Sequence, residues 1–226
     1  MSVLVDPTAR YNALESYVYD RAIAPAVIEL ADSVEERLLA ELPRGARVLE
    51  VGCGGGHLAV RLAGKRDDLT ITGLDLSPEQ VGRAKVRARA VAERVTFVEG
   101  SALSLPFDDE HFDAVISVAS IKHWPDPLRG LSECVRVLRA GGALAVVEAD
   151  RGCTMHDARS FVSRWRIPQL LRPLALVGFR TFVAGNAFDL DDMRAFAAML
   201  GPGQWAVERV PGTPALLLSG RRKARA

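Results

Sequence analysis

Short apolar runs alternate with stretches of helical period along most of the chain. Val48, Leu49 and Val51 read as a buried strand, and Leu58, Ala59, Leu62 and Ala63 then recur at helical spacing. Between them stand four glycines, so the unit is strand, tight turn, helix. The alternation repeats downstream. Leu69–Leu74 reads as a second strand, ending at Asp75, and Pro78 opens a helix to about Ala92 with Ser77 as its N-cap. Val95–Glu99 and Ala114–Val118 read as the third and fourth strands. A helix with Leu131, Val135 and Leu138 on one face ends at Ala140-Gly141-Gly142, a C-cap pattern, before a fifth strand, Ala143–Glu148.

The flanks read differently. Residues 1–10 look irregular, and 11–42 look helical, with Ala22, Ala26, Leu30 and Val34 on one face and Pro25 dividing the run. Tyr11, Tyr17 and Tyr19 serve either as packing onto the core or as a lid over a ligand. Residues 151–187 mix Phe161, Trp165 and Phe179 with Arg159, Arg164, Arg166, Arg172 and Arg180, and Pro168 and Pro173 forbid one long helix. A cap over a ligand pocket is the expected role, with the aromatic rings as its wall. Asp189 caps a helix running to Leu200; Trp205–Val210 and Ala215–Ser219 read as strands, and Arg221–Ala226 as a solvated tail.

Composition narrows the field without naming a function. The 226 residues are 49% hydrophobic and 25% charged, enough for one domain with a substantial core, and the net charge of +1 argues for no polyanionic partner. Cys53, Cys134 and Cys153 form no C-x-x-C, so neither a metal site nor a disulfide framework is expected. No basic-then-apolar leader and no membrane-length apolar run is present, so a cytoplasmic protein without nucleic-acid or membrane partners is expected. The oligomeric state stays open, a homodimer included.

The chemistry concentrates at the first turn. Glycines let backbone approach a ligand closely, and helix-start N–H groups favour an anionic group. Glu50 inside the turn motif suits a cationic ligand and would repel a pyrophosphate. Asp75 lies 19 positions after Gly56, where a second strand's tip meets a ribose and a carboxylate can accept both hydroxyls. With Ser77 supplying the helix cap, Asp75 is expected to be available for that contact. Leu76 would lie against an adenine.

Glu50-x-Gly52-x-Gly54-x-Gly56 resembles the first motif of the Rossmann-like, class I S-adenosylmethionine (SAM) methyltransferases. Pro106-Phe107 followed by Phe112-Asp113 resembles the family's approach to its fourth strand. Lys122-His123-Trp124-Pro125-Asp126-Pro127 resembles the ubiquinone- and menaquinone-biosynthesis type, with Lys122 where a first histidine usually stands. The resemblance implies an α/β fold: a doubly wound, seven-stranded, mostly parallel sheet closed by a terminal antiparallel pair, with helices on both faces. It covers 45–150 as the SAM-binding core and 188–220 as the closing helix and strands of a single domain, in which 1–42 are expected to form a helical lid and 151–187, which fit no family pattern, an acceptor cap. It implies a cofactor site at Glu50, Gly52, Gly54, Gly56, Asp75, Leu76, Ser101, Ala102 and Val118, with Ser101 replacing the family's frequent Asp. It further implies S-adenosylhomocysteine as product, a small-molecule acceptor with an O, N or C nucleophile, and no metal. His123, at the carboxyl end of the fourth strand, is the candidate base; a purely structural role is its alternative. Two other readings stay open. Gly54-x-Gly56-x-x-Ala59 with Asp75 also suits an NAD(P)-dependent oxidoreductase. A SAM-binding protein without transferase activity is the other.

Overall fold

A computed structural model of the protein describes residues 19–224. Tyr11, Tyr17 and the first part of the expected lid lie outside the described residues. The strands are β1 (Arg47–Val51), β2 (Thr70–Asp75), β3 (Val95–Glu99), β4 (Phe112–Val118), β5 (Leu138–Ala149), β6 (Gly203–Val210) and β7 (Ala215–Arg222). They form one sheet in the order β3-β2-β1-β4-β5-β7-β6. β1 to β5 run parallel, and β7 pairs antiparallel with both β5 and β6. The α-helices are α1 (Ala24–Glu29), α2 (Asp32–Glu41), α3 (His57–Lys65), α4 (Pro78–Arg87), α5 (Pro127–Val137), α6 (Met155–Ser163), α7 (Arg172–Gly178) and α8 (Leu190–Met199).

The period-2 geometry of a strand sends successive side chains to opposite faces. Val48, Ile71, Ile116 and Val147 therefore join one buried cluster with α1 to α4 and the 151–187 segment. Leu49, Leu74, Val115 and Val146 join the other with α5 and α8. Covering both faces explains why the central strands are continuous apolar runs. The turns that follow β1, β2 and β4 meet at the strands' carboxyl ends.

Several boundaries differ from the sequence reading. Ala140-Gly141-Gly142 is not a helix cap. α5 ends at Val137, and Leu138 is already extended and paired with Phe112. The register then jumps to Ala114 against Ala143, so the glycines form a bulge, with Gly141 at φ +77°. The bulge lets Arg139 pair with Asp113, whose other oxygen accepts the Arg47 N–H at 2.7 Å. Pro25 does not divide the N-terminal helices. It sits in the first turn of α1, where its missing N–H costs nothing, and the break falls at Leu30–Ala31. The expected tail is partly structure: Arg221 and Arg222 complete β7, and Arg222 is buried.

Arg222 donates to the carbonyls of Arg136 and Leu138 and pairs with Glu110 at 3.0 Å. It thereby ties β7 to the end of α5. Arg222→Met keeps the length but strands two buried acceptors, so it should cost about 1–3 kcal/mol of stability by urea denaturation. An unchanged midpoint would make the contact incidental.

Candidate functional site

A cleft opens at the carboxyl ends of β1, β2 and β4. Gly52, Gly54, Asp75, Leu76, Ser101, Ala102, Val118 and His123 line it. These are eight of the ten positions singled out from the sequence, drawn together from four separate turns. Glu50 and Gly56 are not among the lining residues, and each has a supporting contact instead.

The two glycines of the turn's second half do different work. Gly54 has φ +50°, and an added Cβ there would meet nothing within 4 Å, so its open side faces the cleft. Gly56 has φ +74°, and an added Cβ would lie 2.7 Å from Phe97 and 2.8 Å from Ala84. Gly56 thus lets α3 start close against β3 and α4. Gly52 touches the far wall: its added Cβ would lie 1.9 Å from the Ser120 hydroxyl.

Asp75 stands at the tip of β2 and is already engaged. One carboxylate oxygen accepts the Gly54 N–H at 2.8 Å, and the other accepts the Ser77 N–H at 2.9 Å. The expected availability is therefore corrected: the group holds the turn in shape, and each oxygen keeps one further acceptor direction. Ser77 does cap α4, accepting the Gln80 N–H at 3.4 Å. Burial raises the Asp75 pKa, against the lowering by the nearby backbone N–H groups of Ser77, Gly54 and Leu76.

Glu50 is buried on β1 and accepts the Ala59 N–H of α3 at 3.0 Å. Burial pushes its pKa up to about 8, with Asp75 adding a smaller electrostatic push. Ala59, which the dinucleotide reading needed as a packing residue, is fully buried behind the turn.

His123 closes a short 3-10 turn after β4, where its N–H donates to the Ser120 carbonyl at 2.9 Å. His57, His111 and His156 do not line the cleft. The Trp124 indole N–H donates to the Ser120 hydroxyl at 3.1 Å, fixing the same wall. Lys122, the departure from the family pattern, points away from the cleft. Its ammonium pairs with the fully buried Glu148 of β5 at 3.1 Å, and its backbone N–H reaches the same carboxylate. A buried carboxylate needs such a partner. Sequence reasoning missed Ser120, Trp124 and Gln80 as lining residues. For Gln80 the usable pattern was one residue type, a polar group on the first turn of a helix capped at the cleft; its side-chain oxygen is buried without a partner. Among the described residues, no cluster of three His, Cys, Asp or Glu could hold a metal ion.

Phe161, Trp165 and Phe179 do not form a pocket wall. They pack edge-to-face or tilted at centroid distances of 5.1–6.2 Å and are buried as the core of the 151–187 segment. That segment docks on the N-terminal helices, with the Arg166 N–H on the Ala22 carbonyl.

The sheet order, the antiparallel closure and a cleft at the strands' carboxyl ends define the Rossmann-like methyltransferase class. Residues 49–146 match the family model described as "Methyltransferase domain". The chain is 38% identical over 161 residues to 2-methyl-6-phytyl-1,4-hydroquinone methyltransferase 2, chloroplastic, of Oryza sativa subsp. japonica, covering 67% of this chain and 43% of that one. It is 39% identical over 122 residues to 27-O-demethylrifamycin SV methyltransferase of Amycolatopsis mediterranei, covering 52% and 44%. The chain thus spans less than half the length of these two relatives. A solved structure titled as an S-adenosyl-L-methionine-dependent methyltransferase from Methanococcus maripaludis has the same fold, with a TM-score of 0.71, 17% identity and coverage of 93% and 91%. The chain carries a class I SAM-dependent methyltransferase domain.

The raised Glu50 pKa has a testable sign. Between the usual carboxylate range and about 8, the folded state holds a proton that the unfolded chain has released. Stability should therefore fall as pH rises through that window, by up to about 1.4 kcal/mol per pH unit. Melting temperatures of the ligand-free protein across this range measure it. Glu50→Gln should flatten most of the slope and leave the smaller part due to Asp75; an unchanged slope would mean that Glu50 is ionised.

The glycine contrast gives a second test. Gly56→Ala should cost about 1–3 kcal/mol by forcing Phe97 and Ala84 apart. Gly54→Val should leave the circular dichroism spectrum near normal while filling the open side of the turn, and SAM affinity by calorimetry should be lost.

Proposed function

We propose that the protein transfers a methyl group from SAM to an O, N or C nucleophile of a small-molecule acceptor. The observation that carries this reading is the shared cleft: Asp75 and the Gly52–Gly54 turn on one side, His123 on the other. The lining suits the cofactor. Asp75 keeps an acceptor direction on each oxygen for ribose hydroxyls. Leu76, Ser101 and Ala102 offer an apolar slot with one hydroxyl for an adenine, and the open side of Gly54 leaves room for close approach. Glu50, behind the turn, suits the cationic methionine end once ionised. Val118 and the backbone at Gly52 flank that end. SAM supplies an electrophilic methyl on a sulfonium.

The residues of this chain align the reactants and exclude water, which supplies much of the rate in an in-line displacement. The His123 imidazole takes the acceptor's proton as the acceptor attacks. The relatives named for a phytyl hydroquinone and for rifamycin support an acceptor with an acidic hydroxyl or an activated ring carbon. Residues 151–187, which follow β5, form the cap on the acceptor side, outside the lining of the cofactor cleft.

A thermal-shift series with SAM, S-adenosylhomocysteine, NAD and NADP tests the cofactor; stabilisation by NAD or NADP alone would overturn the proposal. Turnover of labelled SAM against a metabolite panel then separates an enzyme from a SAM-binding protein. Asp75→Ala should weaken SAM binding by about 1–3 kcal/mol, through the ribose contact and through the loosened turn together. His123→Ala should lower kcat by about 10²–10⁴ with SAM affinity unchanged. Turnover within a few fold of the parent would make His123 a support for the cleft wall.

A further inference from the structure

The outer surface of the 151–187 segment carries most of the large exposed apolar side chains among the described residues of the chain's second half. Leu170 is 89% exposed, Leu174 72% and Val177 60%, with Leu171 and Phe182 about half exposed beside them. Leu170, Leu174 and Val177 are spaced i, i+4, i+7, which puts them on one face of α7 and the short turn before it. The opposite face is occupied: Phe179 is buried, and Ala175 and Leu176 pack on the core cluster. The exposed leucines are therefore not a loose loop waiting to fold inward. They are held outward by an anchored underside. Isolated exposed apolar residues need no explanation, but a contiguous row of this size does.

Charge identifies what covers that row. Residues 158–188 contain five arginines (Arg159, Arg164, Arg166, Arg172, Arg180) and no Asp or Glu, in a chain of net charge +1. The rest of the chain is thus net negative, and positive charge is concentrated in the segment that carries the apolar row. Arg164 and Arg180 are held by Glu29 and by Cys153, whereas Arg159 and Arg166 are exposed. An exposed apolar face on a segment of net positive charge matches the two components of a bilayer surface carrying anionic headgroups, acyl boundary and negative potential. A second copy of this chain would set the same arginines against one another. Pro168 and Pro173 forbid one long helix, but the structure places Pro173 in the first turn of α7, so the helix it opens keeps its apolar face.

We infer that the α7 face docks the protein peripherally on an anionic lipid surface. Among the described residues no helix is long and apolar enough to cross a bilayer, so the contact is with the surface. The inference is independent of the methyl-transfer reading, because none of these residues lines the cleft.

Vesicle co-sedimentation of the full chain tests it. Binding is expected to phosphatidylcholine–phosphatidylglycerol vesicles, to weaken with salt, and to be near absent on phosphatidylcholine alone. Leu170→Ser with Leu174→Ser should lower vesicle affinity by about tenfold or more, and Arg159→Gln with Arg166→Gln similarly. Circular dichroism and SAM affinity of both double variants should match the parent, which separates lost docking from lost folding. Equal binding to both vesicle types, or double variants that bind like the parent, would overturn the inference. So would a concentration-dependent dimer that the leucine variant dissolves while no vesicle binding is seen, since the occupant would then be a second copy.

Discussion

The Asp75 carboxylate is the joint on which the site depends. Its two oxygens receive N–H groups from two different turns, Gly54 after β1 and Ser77 after β2. One side chain thereby fixes the relative position of the glycine turn and the start of α4. Behind it, Glu50 does the same for β1 and α3 through the Ala59 N–H. Burial raises the cost of ionising both acids, and Asp75 adds a smaller electrostatic push on Glu50. That cost is tolerable where a cation is to be received, because the ligand supplies the missing counter-charge.

The opposite wall is built by a separate set of contacts. Ser120 is held by the Trp124 indole and approached by Gly52 with no room for a side chain between them. Lys122 turns away and neutralises Glu148, which anchors the 3-10 turn bearing His123 to β5. The residue that departs from the family pattern thus supports the histidine that matches it.

The strand-and-helix plan was legible because burial on both faces leaves continuous apolar runs, and because Ser77-Pro78 and Asp189 are strong caps. The cleft was legible where its lining follows closely from a strand's end, as at Asp75 and, in the turn after β4, at His123. What was hidden depends on packing between distant segments. No local pattern tells a glycine that faces the cleft, Gly54, from one that faces Phe97, Gly56. Ala140-Gly141-Gly142 has the composition of a helix cap, and only the pairing of Leu138 with Phe112 makes it a bulge. Phe161, Trp165 and Phe179 look alike whether they wall a pocket or fill a core. Arg222 looked like a solvated residue because its partners are carbonyls, which sequence does not display.

The sheet order has a consequence for synthesis. β7 lies between β5 and β6, so β5 has no partner on that side until Ala215–Arg222 has been made. From the emergence of Ala149 to that of Ala215 the ribosome needs roughly 3–13 s. For that interval the apolar run Ala143–Val147 presents an open edge, the kind of surface that recruits foreign strands. Nascent chains stalled before residue 215 are then the species most in need of a chaperone, and β7 is the strand that ends the exposure.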